Sequence, residues 1–151
     1  MPASTVAAPS AAALARAFVR CVVDGDPALG DLLAEDVWLR CLLPRELVEH
    51  HDRAGTLATI SGWFGQASQV DVEETFHRTV EGREHVGWRL RLLPDWQPDT
   101  WHRIEQVGYV RVTDGRVRRI DLVCTGFHPL TDPVDEPRTR GLQQRRRILS
   151  M

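Results

Sequence analysis

Six histidines, three cysteines, five tryptophans and a single tyrosine supply much of the side-chain chemistry in this 151-residue chain. In the run WHRIEQVGYV, His102 and Glu105 stand three residues apart. A carboxylate withdrawn from water has its pKa raised and can serve as a general base. Histidine takes and gives protons near neutral pH. His51 directly precedes Asp52, an acid–base pair if the carboxylate orients the ring. The plainer reading makes Asp52 a helix cap and leaves His51 incidental. Glu105, His102 and His51 are therefore the candidate catalytic residues, each set against an ordinary role in a surface ion pair or at a strand end.

Five further residues are candidates for ligand binding: Trp63, Trp88, Gln106, Tyr109 and Cys124. Trp88 shares its parity with Val86, Leu90 and Leu92, the face expected to be buried, and Trp63 closes a helix. Aromatic walls with a few polar groups are the usual make-up of a small-molecule pocket. The phenol of Tyr109 could donate to a developing oxyanion. Cys124 alternates with Ile120 and Leu122, where a free cysteine packs as a small hydrophobe more readily than it reacts. The cysteines at 21, 41 and 124 form no CxxC pair, and the histidines show neither HxH nor HxxxH spacing, so no metal and no cofactor are expected. All 19 basic residues are arginine, which excludes a lysine Schiff base.

Which of these side chains meet depends on one turn. The stretch YVRVTDGRVRRIDLVC alternates, turns at Asp114-Gly115 and alternates again. A two-residue turn pairs Thr113 with Arg116 and sets Glu105 beside Cys124 on the inner side. A three-residue loop with a bulge at Gly115 shifts the pairing by one. Ile104, Gln106, Gly108 and Val110 then share the inner side with Ile120, Leu122 and Cys124, and Glu105 and Tyr109 turn outward. A one-residue slip exchanges a strand's two faces. The second register separates apolar from charged residues more cleanly.

The elements that hold these residues are readable from period and caps. A helix is expected over 10–23, capped by Ser10 and ended by Asp24-Gly25, with Leu14, Phe18 and Val22 at helical spacing. A short helix opens at Asp26-Pro27. Strands are expected over 36–43 and 47–51, and a helix follows from Asp52 to Phe64, weakened by Gly55 and Gly62. Four strands then run over 70–80, 85–93, 101–112 and 117–125. Helices followed by a run of strands imply an α+β fold with the helices on one sheet face. Residues 1–9 read as a flexible N-terminus, 10–130 as one domain and 131–151 as a mobile, arginine-rich tail.

The composition is that of a globular domain, 42% hydrophobic and 26% charged, with net charge -2 and pI near 6.3. That balance argues against binding driven by phosphate contacts, so no nucleic acid is expected. The run Gln143-Gln144-Arg145-Arg146-Arg147 reads as a solvated tail. No window approaches 18 apolar residues and no basic start precedes an apolar run, so neither a membrane span nor a signal peptide is expected. An odd number of unpaired cysteines suggests a cytoplasmic home.

The helix ALARAFVRCVVDGD, the phrase LLAEDVWLR, the helix end SGWF and the hairpin VRVTDGRVRRIDL together resemble the nuclear transport factor 2-like superfamily, in its SnoaL-like branch. The resemblance spans residues 10–128. It implies a curved antiparallel sheet wrapped around the N-terminal helices, a cystatin-like cone with a conical pocket. It also implies a homodimer through the outer sheet face. Similar proteins include ketosteroid isomerases, polyketide cyclases, epoxide hydrolases, dehydratases and non-catalytic binding domains. This chain departs from the isomerases: Cys41-Leu42-Leu43 stands where they carry a carboxylate base near the end of the first strand. The Asp–Arg–Asp set of limonene-type epoxide hydrolases has no counterpart, so no catalytic residue transfers. Two readings stand: a cofactor-free enzyme moving a proton on a largely apolar metabolite, by isomerisation, cyclisation or dehydration, or a non-catalytic small-molecule-binding or dimerisation domain.

Overall fold

The structure, a computed structural model, describes residues 7–131 and the backbone of residues 145–146. Helix α1 (Ala11–Asp24) begins where Ser10 Oγ accepts the Ala13 N–H at 3.1 Å and ends at Gly25. A 3-10 helix (Pro27–Leu32) follows, its first turn capped by Asp26, which accepts from the Ala28 N–H at 2.9 Å. Helix α2 (Arg53–Gly62) starts at Asp52, whose carboxylate accepts the Gly55 N–H at 2.7 Å. Glycine inside this helix has a steric reason. A Cβ at Gly55 would lie 2.6 Å from the capping carboxylate and 2.7 Å from His50 Nδ1.

The strands are β1 (Leu33–Leu42), β2 (Leu47–His50), β3 (Ala67–Val80), β4 (Arg83–Pro94), β5 (His102–Thr113) and β6 (Arg116–Cys124). Two short pieces, β7 (His128–Pro129) and β8 (Arg145–Arg146), complete the described sheet. Its order is β2-β1-β6-β5-β4-β3-β8, with β7 on β5, and the curved sheet does not close. The helices pack on its concave side and the α+β architecture stands, but the sheet is mixed. β1 runs parallel to β6, because the long path through α2 and β3–β5 brings the chain back alongside β1 in the same direction. Within the tail segment, Arg146 pairs with Val70 and Arg145 with Asp71 at the sheet edge. The rest of that segment, and residues 1–6 of the expected flexible N-terminus, lie outside the described residues.

The core joins Leu14, Phe18 and Val22 of α1 to Val37, Leu39 and Cys41 of β1 and to the inward residues of β4–β6. The last hairpin combines features of both expected registers. Asp114 and Gly115 have φ of 55° and 77°, the left-handed pair of a two-residue type I′ turn, and Thr113 faces Arg116. One pair further on the register slips: Val112 faces Val117, but Arg111 faces Arg119. Arg118 is the extra residue. The one-residue shift is real, but it comes from a bulge within β6 and not from a three-residue loop.

Deleting Arg118 should therefore keep every inner pair and cost about 1 kcal/mol of lost pairing and surface contact. Deleting Val117, which is fully buried, forces Arg118 into its place and should cost about 3–5 kcal/mol. Urea denaturation of the two deletions checks this; equal losses would place the bulge elsewhere.

Candidate functional site

The slip at Arg118 builds one row across three strands. Trp88 on β4 faces Gln106 on β5, and Gln106 faces Cys124 on β6. The Trp88 indole N–H donates to Gln106 Oε1 at 2.8 Å, with both side chains buried. The other side of the indole stacks on Phe18 of α1, with ring centroids 6.0 Å apart. Cys124 is buried beside them, its sulfur accepting the Gly126 N–H at 3.4 Å. Cys41 lies close to it on β1. Burial, reinforced by the neighbouring Cys124 thiol, pushes the Cys41 thiol up to about 12, so Cys41 is no nucleophile at neutral pH.

His102 lies four residues before Gln106 on the same face, roughly 13 Å along an extended strand. It is 1% exposed, the most deeply buried histidine of the described residues. Its Nδ1 sits 2.9 Å from the Thr100 carbonyl oxygen. A carbonyl can only accept, so Nδ1 carries the proton and a neutral ring keeps its lone pair at Nε2. Three aromatic rings gather there. Trp96 meets His102 edge to face at 4.8 Å, Phe127 stands 5.8 Å from Trp96 and 6.4 Å from His102, and Phe64 stands 6.1 Å from Phe127. Trp96 is 60% exposed and Phe127 40%, so this ring cluster reaches water while the histidine beneath does not.

The remaining candidates lie elsewhere. Glu105 does not face inward: its parity opposes that of Gln106, its side chain is half exposed, and it lies 3.8 Å from Arg89 on the outer face. Tyr109 shares that outer face, edge to face with His85 at 4.8 Å and under Arg83. His51 is also outward, its ring stacked on Trp38 at 5.3 Å and its side chain 70% exposed. Its neighbour His50 turns inward instead, faces Leu39 and exchanges a 2.8 Å hydrogen bond with Thr59 of α2. Trp63 is half-buried at the end of α2, against the core. The structure thus brings Trp88, Gln106 and Cys124 together, sets His102 further along the same wall, and leaves Glu105, Tyr109 and His51 outside. Helical spacing places Phe64 inward, but Phe127 gave no sequence signal, because its meeting with Phe64 joins a helix end to a distant loop. Among the described residues no three His, Cys, Asp or Glu side chains group as metal ligands.

No protein-family model matches the chain, and no curated protein matches it. Solved structures do. A nuclear transport factor 2-like protein of unknown function from Mesorhizobium loti is 24% identical with a TM-score of 0.56, over 81% of this chain and 99% of that one. A candidate isomerase from Rhodopseudomonas palustris is 11% identical with a TM-score of 0.59, over 78% of this chain and 90% of that one. A candidate polyketide cyclase from Xanthomonas campestris is 18% identical with a TM-score of 0.56, over 75% of this chain and 88% of that one. With the mixed curved sheet and helix-lined concave wall, these likenesses establish the nuclear transport factor 2-like cone fold, shared with SnoaL-like and ketosteroid isomerase-like structures.

The Trp88–Gln106 pair has a measurable consequence. Gln106→Leu removes the acceptor and strands a buried indole N–H, which should cost about 1–3 kcal/mol. Adding Trp88→Phe removes the stranded donor, so the double variant should lose less than the sum of the single losses. Chemical denaturation of the four proteins reads the coupling; strict additivity would mean that the hydrogen bond contributes nothing.

Proposed function

We propose that this protein acts on a small, largely apolar molecule by cofactor-free proton transfer of the isomerase, cyclase or dehydratase kind, with His102 moving the proton. The carrying observation is the position of His102: an acid–base side chain buried on the concave wall, its tautomer set by the Thr100 carbonyl and its surroundings aromatic. The solved structures with this fold include proteins described as candidate isomerases and polyketide cyclases, which supports the general enzyme class. In such a setting an imidazole removes a proton from carbon while apolar walls keep water away. Trp96, Phe127 and Trp88 suit a flat or apolar substrate.

The substrate-independent test uses 5-nitrobenzisoxazole. A base removes its ring C–H proton, the N–O bond breaks and the electron pair leaves on oxygen, giving a coloured cyanophenolate. The wild-type chain should accelerate this over free imidazole at the same pH. His102→Ala should lose about 10²–10⁴-fold of that rate, and Glu105→Gln should lose none. Equal rates in wild type and His102→Ala would remove His102 from the mechanism. A second reading, a non-catalytic binding module, is favoured by the Trp88–Gln106 hydrogen bond, in which the wall's own polar groups satisfy each other. Saturable uptake of an apolar ring without acceleration would select it.

We further propose a homodimer through the outer sheet face. Leu42 pairs with Leu47 on one side and Val123 on the other, and all three are about half exposed, forming an apolar band across β2, β1 and β6. A contiguous exposed apolar band of this kind is what a sheet-face interface would cover. Leu42→Glu with Val123→Glu should convert a dimer to a monomer in sedimentation analysis; an unchanged mass would exclude this face. A cytoplasmic location suits the three free, buried thiols. Among the described residues no helix is long and apolar enough to cross a membrane.

A further inference from the structure

Helix α1 and strand β3 line a half-open recess of about 340 Å³. Its lining includes none of Trp88, Gln106, Cys124 or His102, but it adjoins the wall described above, since Thr75 pairs with Trp88. Its volume lies within the range of small-molecule sites, roughly 300–1,000 Å³. The floor is apolar, built by Ala15, Val19 and Val23 of α1 and by Val72 of β3. Its rim carries Arg16 and Arg20 from α1, with Thr75 and His77 from β3.

The charges along this recess are ordered. Arg16, Arg20 and Asp24 follow one another at four-residue spacing, which places them on one stripe of α1. The two guanidiniums come first and the carboxylate last. The two guanidiniums therefore favour an anion along the Arg16–Arg20 stretch of the stripe. Guanidinium groups match a carboxylate in shape and hydrogen bonding. The valine and alanine floor suits a short hydrocarbon chain.

We infer that the recess between α1 and β3 binds a small amphiphilic monocarboxylate, its head on Arg16 and Arg20 and its chain along Val19, Val23 and Val72. This site goes beyond the proton-transfer reading and does not depend on it. The test is a titration of the full-length protein with sodium octanoate, followed by amide NMR shifts, with 1-octanol as the uncharged control. Octanoate should give saturable shifts concentrated in residues 12–24 and 72–77, at an affinity at least tenfold above that of octanol. Arg16→Gln with Arg20→Gln should lower octanoate affinity at least tenfold and leave octanol unchanged. Equal affinity for octanoate and octanol in the wild type would overturn the inference without any variant. Shifts concentrated around His102 and Cys124, or no saturable shifts, would also overturn it.

Discussion

The extra residue at Arg118 governs what the concave wall contains. A type I′ turn ties β5 to β6 with both strands in one register, and that register would turn Glu105 inward beside Cys124. The bulge one pair later reverses this, so Gln106 meets Cys124 and Glu105 goes to the outer face. The driving force is the sequence of β6 beyond the bulge. Ile120 and Leu122 are essentially fully buried, and each such side chain favours burial by about 1.5–3 kcal/mol. Arg119 and Asp121 on the same strand would be costly to bury and instead pair with each other at 2.8 Å in the open. Accommodating one unpaired residue costs far less than inverting that strand. The bulge also falls where β1 departs from regular pairing with β6, between Leu33 and Trp38. The irregularity is thus shared by both neighbours of β6.

The two faces of the sheet consequently hold different kinds of polar group. The outer face carries ion pairs: Arg103 holds Glu73 through two hydrogen bonds at 2.8 and 3.0 Å, Arg91 holds Asp71 at 3.0 Å, and Arg89 reaches Glu74 at 3.1 Å. The inner face carries Gln106 and His102, polar groups that can be neutral and that each have a fixed partner. A neutral buried hydrogen bond avoids the desolvation cost of a charge. An aromatic wall and a buried imidazole can therefore coexist on one side of a sheet whose other side is densely ionic.

How much of this was legible follows from what each signal encodes. Caps are local chemistry, and Ser10, Asp26 and Asp52 all cap the turns they were expected to cap. Period-2 alternation placed Trp88 on the inner face with Val86, Leu90 and Leu92. The register of the last hairpin followed from sorting apolar from charged residues, but its cause, a bulge inside β6, carries no distinctive residue type. The parallel pairing of β1 with β6 was not legible, because it joins strands some eighty residues apart with nothing local to mark their direction. His50 and His51 show the limit of parity at a junction. Alternation requires them to face opposite ways, yet only the pairing of His50 with Leu39 says which one turns inward. The ring cluster over His102 was beyond reach for a similar reason: Phe64, Trp96 and Phe127 come from three different connections.

The composition of the inner wall constrains the chemistry that suits it. Hydrolytic mechanisms of the paired-carboxylate kind divide the work between two groups, one giving a proton and one taking it. His102 stands roughly 13 Å along the strand from Gln106, the next polar residue on its face of β5, so the two do not reach the same atom. One imidazole can nevertheless take a proton from one carbon and return it to another on the same molecule, provided water does not exchange it in between. A buried histidine under aromatic rings meets that condition better than an exposed carboxylate would. Among the three proton-transfer outcomes, an intramolecular shift therefore makes the fewest demands on this wall. It needs one base, a dry enclosure and a substrate flat enough to lie against Trp96 and Phe127.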